Sequence, residues 1–433
     1  PNRLLFQDRI AHQVASAARN ETIAGVLFVD LDDFKVVNDT KGHGVGDELL
    51  VIAAARLAAL VRGSDTAARL GGDEFALLIG GVEDPAAVEA AAERVVGAFA
   101  EPFALTTGLV TTTVTVGIAT TLDGTDTDEL LRHADLALYA AKAAGKRQWR
   151  RYQPVLSAGL IRRREIQEAL EEAVAESAFS LVYQPIVALD TGELTGFEAL
   201  IRWPHSQWGM MQPGQFITLA EETGQIIAIG SWVLGRATAD ITRWRRNAGT
   251  RAGRRDLYVS VNVSARQFAD PGFADNVRQV LAGSGLEPRA LVLELTETAL
   301  LHRDDRLHSD LAELKSIGVR LAIDDFGTGY SSLSYLRELP IDVVKMDKSF
   351  VEGIAESGQR LALAEGIVRI ARTLNLEVVA EGIETEVQRD LLGSMGCHYG
   401  QGYLLSMPMS ASQAEEVARN GLSAAPAVVA PGP

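Results

Sequence analysis

The sequence predicts two domains, a mixed α and β domain followed by a TIM-like α/β barrel. At 433 residues the chain is too long for one ordinary core, and length alone gives two or three domains. Helix and strand periodicities alternate up to about Arg150, where the pattern changes. Beyond it, eight apolar segments alternate with helical stretches over about 250 residues, as a barrel of eight strands requires.

In the first half, strands are expected at 23–30, 67–70, 75–79 and 111–118. A helix is expected over 126–145, where Leu130, Leu131, Ala134, Leu138 and Ala141 recur at helical spacing. A charged amphipathic helix over 162–177, with Ile166, Leu170 and Val174 on one face, connects the two halves. The barrel strands read SLVYQPIVAL, ELTGFEALI, LYVSVNVS, LVLELTE, VRLAIDD, DVVKMD, LEVVAEG and YGQGYLL. The expected division is a first domain over 1–152, a connector over 153–165, a second domain over 166–420 and a disordered Ala- and Pro-rich tail over 421–433.

Apolar residues make up 47% of the chain, ample for folded cores. No window holds eighteen uninterrupted apolar residues, because even LLVIAAARLAALV carries Arg56, so no membrane span is expected in this stretch. The net charge of −16 argues against nucleic acid as a partner, since phosphate contacts need clustered Lys and Arg. One cysteine, Cys397, excludes an intrachain disulfide and suits a reducing cytoplasm. The chain opens on Pro1 and Asn2 without an initiator Met, so an upstream sensor, or an anchor to a membrane, is expected outside it.

Chemistry concentrates in a few strings. FVDLDDFKVVND ends an apolar strand in Asp30, and the hairpin ARLGGDEFALLI projects Asp73 and Glu74 from a Gly71-Gly72 turn. Three acids there can share divalent ions beside a triphosphate, although an ordinary Gly-Gly hairpin with solvated acids accounts for the turn alone. GHGVGDE lacks the GK[ST] of a P-loop. RGSD places Arg62 and Asp65 nine residues ahead of Gly71; taken alone it reads as a surface pair. In the second half, Glu198, Asn262, Glu294, Asp324, Asp325, Asp347 and Glu381 fall at the carboxyl ends of strands, which converge in a barrel. Without metal such carboxylates would repel one another.

FVDLDDFKVVNDTKGHGVGDELL, RLGGDEF and ADLALYAAKAAGK resemble the diguanylate cyclase (GGDEF) family in order and spacing. YQPI, EALIRW, NVSARQF, ELTET, DDFGTGYSS, KMD, AEGIE and QGY resemble the EAL phosphodiesterases of cyclic di-GMP. The resemblance implies a palm-like α+β domain with a mainly antiparallel sheet, then the barrel. In the first domain it implies Mg²⁺ or Mn²⁺ on Asp30, the Leu31 carbonyl and the catalytic Asp73 and Glu74, with Gly71 and Gly72 beside the substrate. Lys35, Lys142 and Lys146 would meet phosphate, Lys146 standing where the family more often has Arg, and Asn38 and Asp47 would read guanine. A buried Asp47 would reject adenine by leaving its acceptors unpaired. Arg62 and Asp65 sit at the offset of the family's product-inhibition motif, where Arg can bond guanine O6 and N7 together.

In the barrel the resemblance makes Glu198, Asn262, Glu294, Asp324, Asp325, Asp347 and Glu381 metal ligands or their immediate neighbours. Glu198, Asp324, Asp325 and Lys345 are the expected catalytic residues, Lys345 helping to activate water. Gln184, Arg202, Glu384 and Gln401 would touch substrate, and Glu297 would anchor the loop over 327–332. The expected function is synthesis of cyclic di-GMP from two GTP and its hydrolysis to pGpG by a homodimer. Two alternatives are a phosphodiesterase whose first domain only binds GTP as a regulator, and a non-catalytic cyclic di-GMP receptor.

Overall fold

The computed structural model describes residues 1–247, 256–300, 305–327 and 338–422. The chain divides into two compact units, Pro1–Glu165 and Ile166–Pro433.

The first unit is built on a five-stranded sheet in the order β2-β3-β1-β6-β7. Its strands are β1 (Ile23–Leu31), β2 (Thr66–Gly71), β3 (Glu74–Val82), β6 (Val114–Thr120) and β7 (Trp149–Arg151), and β4 (Phe103–Leu105) pairs with β5 (Gly108–Val110) in a separate hairpin. Every pairing in the main sheet is antiparallel except β6 with β7, the mainly antiparallel sheet expected. β1 is apolar on both faces because both are covered. Leu27, Val29 and Leu31 share a core with Leu49 and Leu57 of the helix His43–Leu60. Val26 and Phe28 face Phe6 and Ile10 of the helix Arg3–Asn20 and Leu130, Ala134 and Ala137 of the helix Thr127–Ala143. Asp30 lies two residues beyond Phe28 and so leaves the sheet on that same face.

The strand expected at 111–118 runs Val114–Thr120, because residues 108–110 are taken by β5. The connector helix starts earlier than expected, at Pro154, whose fixed φ suits a first helical turn, and runs to Glu176.

The second unit is a closed barrel. Its strands are β8 (Ser180–Ala188), β9 (Leu194–His205), β11 (Tyr258–Val263), β12 (Leu291–Thr296), β13 (Arg320–Phe326), β14 (Val343–Met346), β15 (Glu377–Ala380) and β16 (Tyr399–Gly400), with β10 (Gly209–Met211) and β17 (Met409–Ser410) appended. β8 closes the ring by pairing antiparallel with both β9 and β16, whereas the intervening pairings are parallel. All eight expected strands are present, the last reduced to two residues.

The interior is layered by the period of two. Ile186, Val292, Ala322, Val343 and Val379, with Tyr258 and Tyr399 against them, form an apolar floor. Two residues further along their strands stand Glu294, Asp324, Lys345, Glu381 and Gln401; for β8, which runs the opposite way, the equivalent of Ile186 is Gln184. The side chains expected to carry chemistry are therefore the layer above a dry one.

One packing contact of the first unit is unusually tight. A Cβ at Gly117 of β6 would stand 2.1 Å from the Leu138 amide nitrogen and 2.2 Å from the Ala134 carbonyl oxygen. Both atoms are backbone, so the helix would have to move. Gly117→Ala is expected to cost about 1–3 kcal/mol, read as a fall in the first unit's unfolding midpoint in calorimetry.

Candidate functional sites

The charged layer of the barrel is organised by Lys345. Its side chain is 2% exposed, and Nζ lies 2.7 Å from Glu381 Oε1, 2.8 Å from Glu294 Oε2, 3.1 Å from Asp324 Oδ1 and 3.5 Å from Glu198 Oε1. Asn262 Nδ2 donates to Glu198 Oε1 (2.8 Å), and Gln401 Nε2 donates to Glu198 Oε2 (2.7 Å) and Glu381 Oε1 (2.9 Å). Side chains from six strands or strand ends meet around one ammonium. The register explains the meeting, since Gln184 faces Glu198, Asn262 faces Glu294 and Thr296 faces Asp324 across their ladders.

Four carboxylates against one cation leave the cluster short of positive charge. Burial pushes Glu294 and Glu381 up, Glu381 to about 7, with the neighbouring acids adding to the rise and Lys345 only partly opposing it. Burial acts on Glu198 too, but Lys345, Gln401 and Asn262 together hold it below the ordinary carboxylate value. Lys345 is pulled down by burial and raised well above its ordinary value by its acids, so it is a fixed ammonium. Oxygens of Asp324, Asp325 and Glu381 lie within 4.8 Å of one another, the one such set of three His, Cys, Asp or Glu ligands among the described residues. An all-oxygen set with excess negative charge fits a hard divalent cation such as Mg²⁺. Asp347, whose charge adds to the rise of Asp325, caps the short helix after β14, accepting from the Ser349 amide at 3.0 Å.

The expected substrate contacts surround this layer. Gln184 Nε2 reaches the Ser406 carbonyl (3.4 Å), and Arg202, half-buried, donates from Nη1 to the Ile201 carbonyl (2.8 Å). Glu384 is exposed and paired with Lys348 at 2.5 Å. Gln401 is buried inside the cluster, where its amide hydrogens are committed to Glu198 and Glu381. Glu297, 6% exposed, accepts from the Gly327 amide at 3.2 Å, and its other oxygen has no hydrogen-bond partner among the described residues. The loop it was expected to anchor lies, beyond Gly327, outside the described residues.

In the first unit, Asp30 and Glu74 are paired across β1 and β3, and the Leu31 amide donates to the Asp73 carbonyl (3.3 Å). Gly72 turns the hairpin with φ +51, and Arg69 clamps it by donating from Nε (3.0 Å) and Nη2 (2.7 Å) to the Gly72 carbonyl. Burial raises Asp30, although Lys142, at 2.7 Å, opposes the rise. Lys146 pairs with Asp33 at 2.7 Å. The Arg69 clamp and the Asp33 pairing are additions that motif reading missed; Arg69 in the string RLGGDEF, and Asp33 and Lys146 in theirs, were the only signal.

The pair expected to read guanine differs from expectation in one respect. Asn38 is half-buried and packs over Gly46, where any Cβ would meet its side-chain oxygen, but the neighbouring Asp47 is exposed. Burial therefore does not supply the discrimination against adenine argued from Asp47, which lies past the first turn of the helix His43–Leu60, on its exposed side. Lys35 is exposed as well. RGSD forms a turn, not a helix face: the Asp65 amide donates to the Arg62 carbonyl (3.0 Å), and the Asp65 carboxylate accepts from the amides of Arg62 (3.0 Å) and Gly80 (3.4 Å). Asp65 thus shapes the turn while Arg62 projects into solvent. No helix among the described residues is long and apolar enough to cross a membrane.

Comparison with known proteins agrees with this architecture. The EAL domain model matches residues 167–408, and the model for the diguanylate cyclase, GGDEF domain matches residues 1–148. The bifunctional diguanylate cyclase/cyclic di-GMP phosphodiesterase MucR of Pseudomonas aeruginosa is 42% identical over 414 residues, 95% of this chain and 60% of MucR. The cyclic di-GMP phosphodiesterase NbdA of the same organism is 38% identical over 419 residues, 96% of this chain and 53% of NbdA. Among solved structures, the PaMucR phosphodiesterase in complex with c-di-GMP is 43% identical with a TM-score of 0.55, covering 58% of this chain and 99% of that one. The chain thus spans little more than half the length of these curated relatives.

The charge deficit of the barrel gives a pH prediction. A carboxyl raised to about 7 holds its proton below that pH, so a cation must displace the proton to bind. Mg²⁺ should therefore raise the melting temperature of the second unit more at pH 8 than at pH 5. Its apparent affinity should climb by up to about tenfold per pH unit below 7 and then level off. Calorimetric titration at several pH values checks this, and a pH-independent affinity would contradict the charge picture.

Proposed function

The chain belongs to the EAL domain family, with a GGDEF domain ahead of the barrel, and we propose that it both makes and hydrolyses cyclic di-GMP. The observation that carries the proposal is the barrel's intact acid layer around Lys345; the first unit, taken by itself, keeps Asp30, Asp73, Glu74, Lys142 and Lys146 on adjoining edges. MucR, 42% identical over 95% of this chain, is named for both activities.

In the barrel, Glu198, Asn262, Glu294, Asp324, Asp325 and Glu381 would hold Mg²⁺ or Mn²⁺, with Asp347 as their neighbour. Such ions supply an acidified water and charge neutralisation at the phosphodiester. The protein's own contributions are distinct. Lys345 keeps its proton and so acts as fixed positive charge toward the phosphoryl oxygens, not as a base. Asn262 and Gln401 hold Glu198 ionised and oriented. Arg202, opposite Ser180 on the β8–β9 ladder, offers a fork to phosphate, and Gln184, opposite Glu198, offers an amide. Hydrolysis opens one of the two phosphodiesters and leaves linear pGpG.

In the first unit, Asp30, the Leu31 carbonyl, Asp73 and Glu74 would hold the ion, and Lys142 and Lys146 would exchange their present carboxylate partners for the phosphates of GTP. Each half-site binds one GTP, and ring closure needs the 3′-oxygen of each nucleotide to attack the α-phosphate of the other. Two copies must then face each other with two-fold symmetry. Nucleotide substrates and a single buried thiol, pushed up to about 12 by burial, suit a reducing cytoplasm. A narrower reading is favoured by NbdA, which is named for phosphodiesterase activity alone: the first unit would then bind GTP as a regulator.

Product analysis decides between these readings. Given cyclic di-GMP and Mg²⁺, the purified chain should release pGpG, and Glu198→Ala should lower that rate by several orders of magnitude, on the order of what loss of metal-held charge costs. Given GTP, the Glu198→Ala protein should accumulate cyclic di-GMP; accumulation of none, with GTP still bound, would leave the regulator reading. Near wild-type hydrolysis by Glu198→Ala would overturn the barrel assignment.

Arg62 supplies a second test in the same Glu198→Ala background. Loss of a bidentate contact to guanine, about 1–3 kcal/mol, should raise the cyclic di-GMP concentration needed to inhibit the cyclase about ten- to a hundredfold in Arg62→Ala. Turnover of GTP at low product should stay intact. Equal inhibition curves would reduce RGSD to the turn that Asp65 already explains.

A further inference from the structure

The carboxylate of Asp32 is 4% exposed, has no cation against it among the described residues, and is not one of the acids assigned to metal or substrate. It spends its acceptors on three groups. Oδ1 accepts from the Thr115 hydroxyl (2.6 Å), and Oδ2 accepts from the Thr113 hydroxyl (2.7 Å) and the Arg147 amide (3.4 Å). The Arg147 amide is shared with Thr115 Oγ1 at 3.2 Å. The Asp32 backbone is fixed as well, its amide donating to the Thr113 carbonyl (2.9 Å) and its carbonyl accepting from the Thr112 hydroxyl (2.9 Å).

What Asp32 holds is an unfavourable turn. Gly145, Lys146 and Arg147 follow one another with φ of 113, 59 and 54, and only the first is glycine. Consecutive side-chain-bearing residues in the left-handed region persist only where their surroundings over-determine them. Gln148 contributes by donating to the Ala141 (3.2 Å) and Ala144 (2.9 Å) carbonyls. Asp32 contributes the acceptor for the amide at the far end. The turn matters because it aims Lys146, which reaches back 2.7 Å to Asp33, the residue after Asp32. Asp32 therefore joins the end of β1, which carries Asp30 and Leu31, to the turn that carries a phosphate-facing cation.

We propose that Asp32 is a positioning residue for the triphosphate edge of the first unit: it touches no substrate and acts through the Gly145–Arg147 turn to place the Lys146 ammonium. This rests on reading the first unit as a GTP site. Asp32→Asn keeps the size and one hydroxyl contact but sets an amide group where the chain needs acceptors.

Three measurements test it. In hydrogen–deuterium exchange on the full chain without nucleotide, the segment 144–148 should lose protection in Asp32→Asn while the exchange of β1 and β6 stays unchanged. In calorimetric binding of a GTP analogue with a methylene bridge between the α and β phosphates, with Mg²⁺, Asp32→Asn should weaken affinity about tenfold. In a double-mutant cycle, Lys146→Ala should cost little more once Asp32 is changed. Thr115→Val, which removes one of the two acceptors of the Arg147 amide, should show the same local exchange effect at smaller size and serves if Asp32→Asn fails to fold. Unchanged exchange at 144–148, or additive losses for Asp32→Asn and Lys146→Ala, would overturn the positioning role while leaving the GTP site standing. Failure of the wild-type chain to bind the analogue would sink the GTP reading and this inference with it.

Discussion

The barrel depends on one buried ammonium. Lys345 is taken out of water above an apolar floor, a transfer that costs several kcal/mol unless opposite charge and hydrogen bonds replace the solvent. Glu198, Glu294, Asp324 and Glu381 replace it, but four acids overshoot, and the surplus makes this cluster a site and not merely a buried ion pair. The amides of Asn262 and Gln401 take part of the surplus on Glu198. What remains falls on Glu294 and Glu381, the two carboxyls that burial and their neighbours push up, and on the Asp324-Asp325-Glu381 set. Because the floor excludes water, the deficit cannot be screened locally, and a divalent cation is the natural complement.

The first unit handles the same requirement differently. Its acids stand at the end of β1 and on the β2–β3 turn, and Lys142 and Lys146 answer them from 37% and 44% exposed side chains. The Lys146–Asp33 pair, exposed on both sides, holds little energy, about 0–1 kcal/mol, and is exchanged readily for a stronger anion. Precision there comes from backbone: the left-handed Gly72, Lys146 and Arg147, the Arg69 clamp on the Gly72 carbonyl, and Asp32. One unit is organised by a rigid layered interior and the other by turns, which is why substitutions in the first should act by distorting geometry and those in the second by unbalancing charge.

Much of this was legible in the sequence. The eight barrel strands could be read because a parallel barrel strand is a short apolar run ending at its functional residue. The floor-and-site layering is written in the i, i+2 pairs Val292 and Glu294, Ala322 and Asp324, Val343 and Lys345, and Val379 and Glu381. Other features were not legible. The β4–β5 hairpin displaced the expected strand at 111–118, because two three-residue strands carry too little pattern. The exposure of Asp47 and the turn at RGSD depend on how helix and strand ends meet, which spacing does not encode. Glu384 and Gln401 come from neighbouring motifs, yet one pairs with a surface lysine and the other is buried among the acids; only tertiary placement separates them.

The surplus of acid also bears on how loss of function should be read. Removing one partner from a balanced buried pair strands the other charge and is strongly destabilising. Here the imbalance runs the other way: with Glu198 removed, Lys345 still has Glu294, Asp324 and Glu381 within 3.1 Å, so no charge is orphaned. The amides of Asn262 and Gln401 lose an acceptor, but the repulsion that raises Glu294 and Glu381 is relieved. The metal-free barrel should tolerate this loss, as is usual where a site is held together against its own electrostatics in order to bind something. Loss of Lys345 is the opposite case, since it would leave four converging carboxylates over a dry floor. Activity lost at Glu198 therefore speaks of chemistry, whereas activity lost at Lys345 cannot be separated from the collapse of the layer it organises.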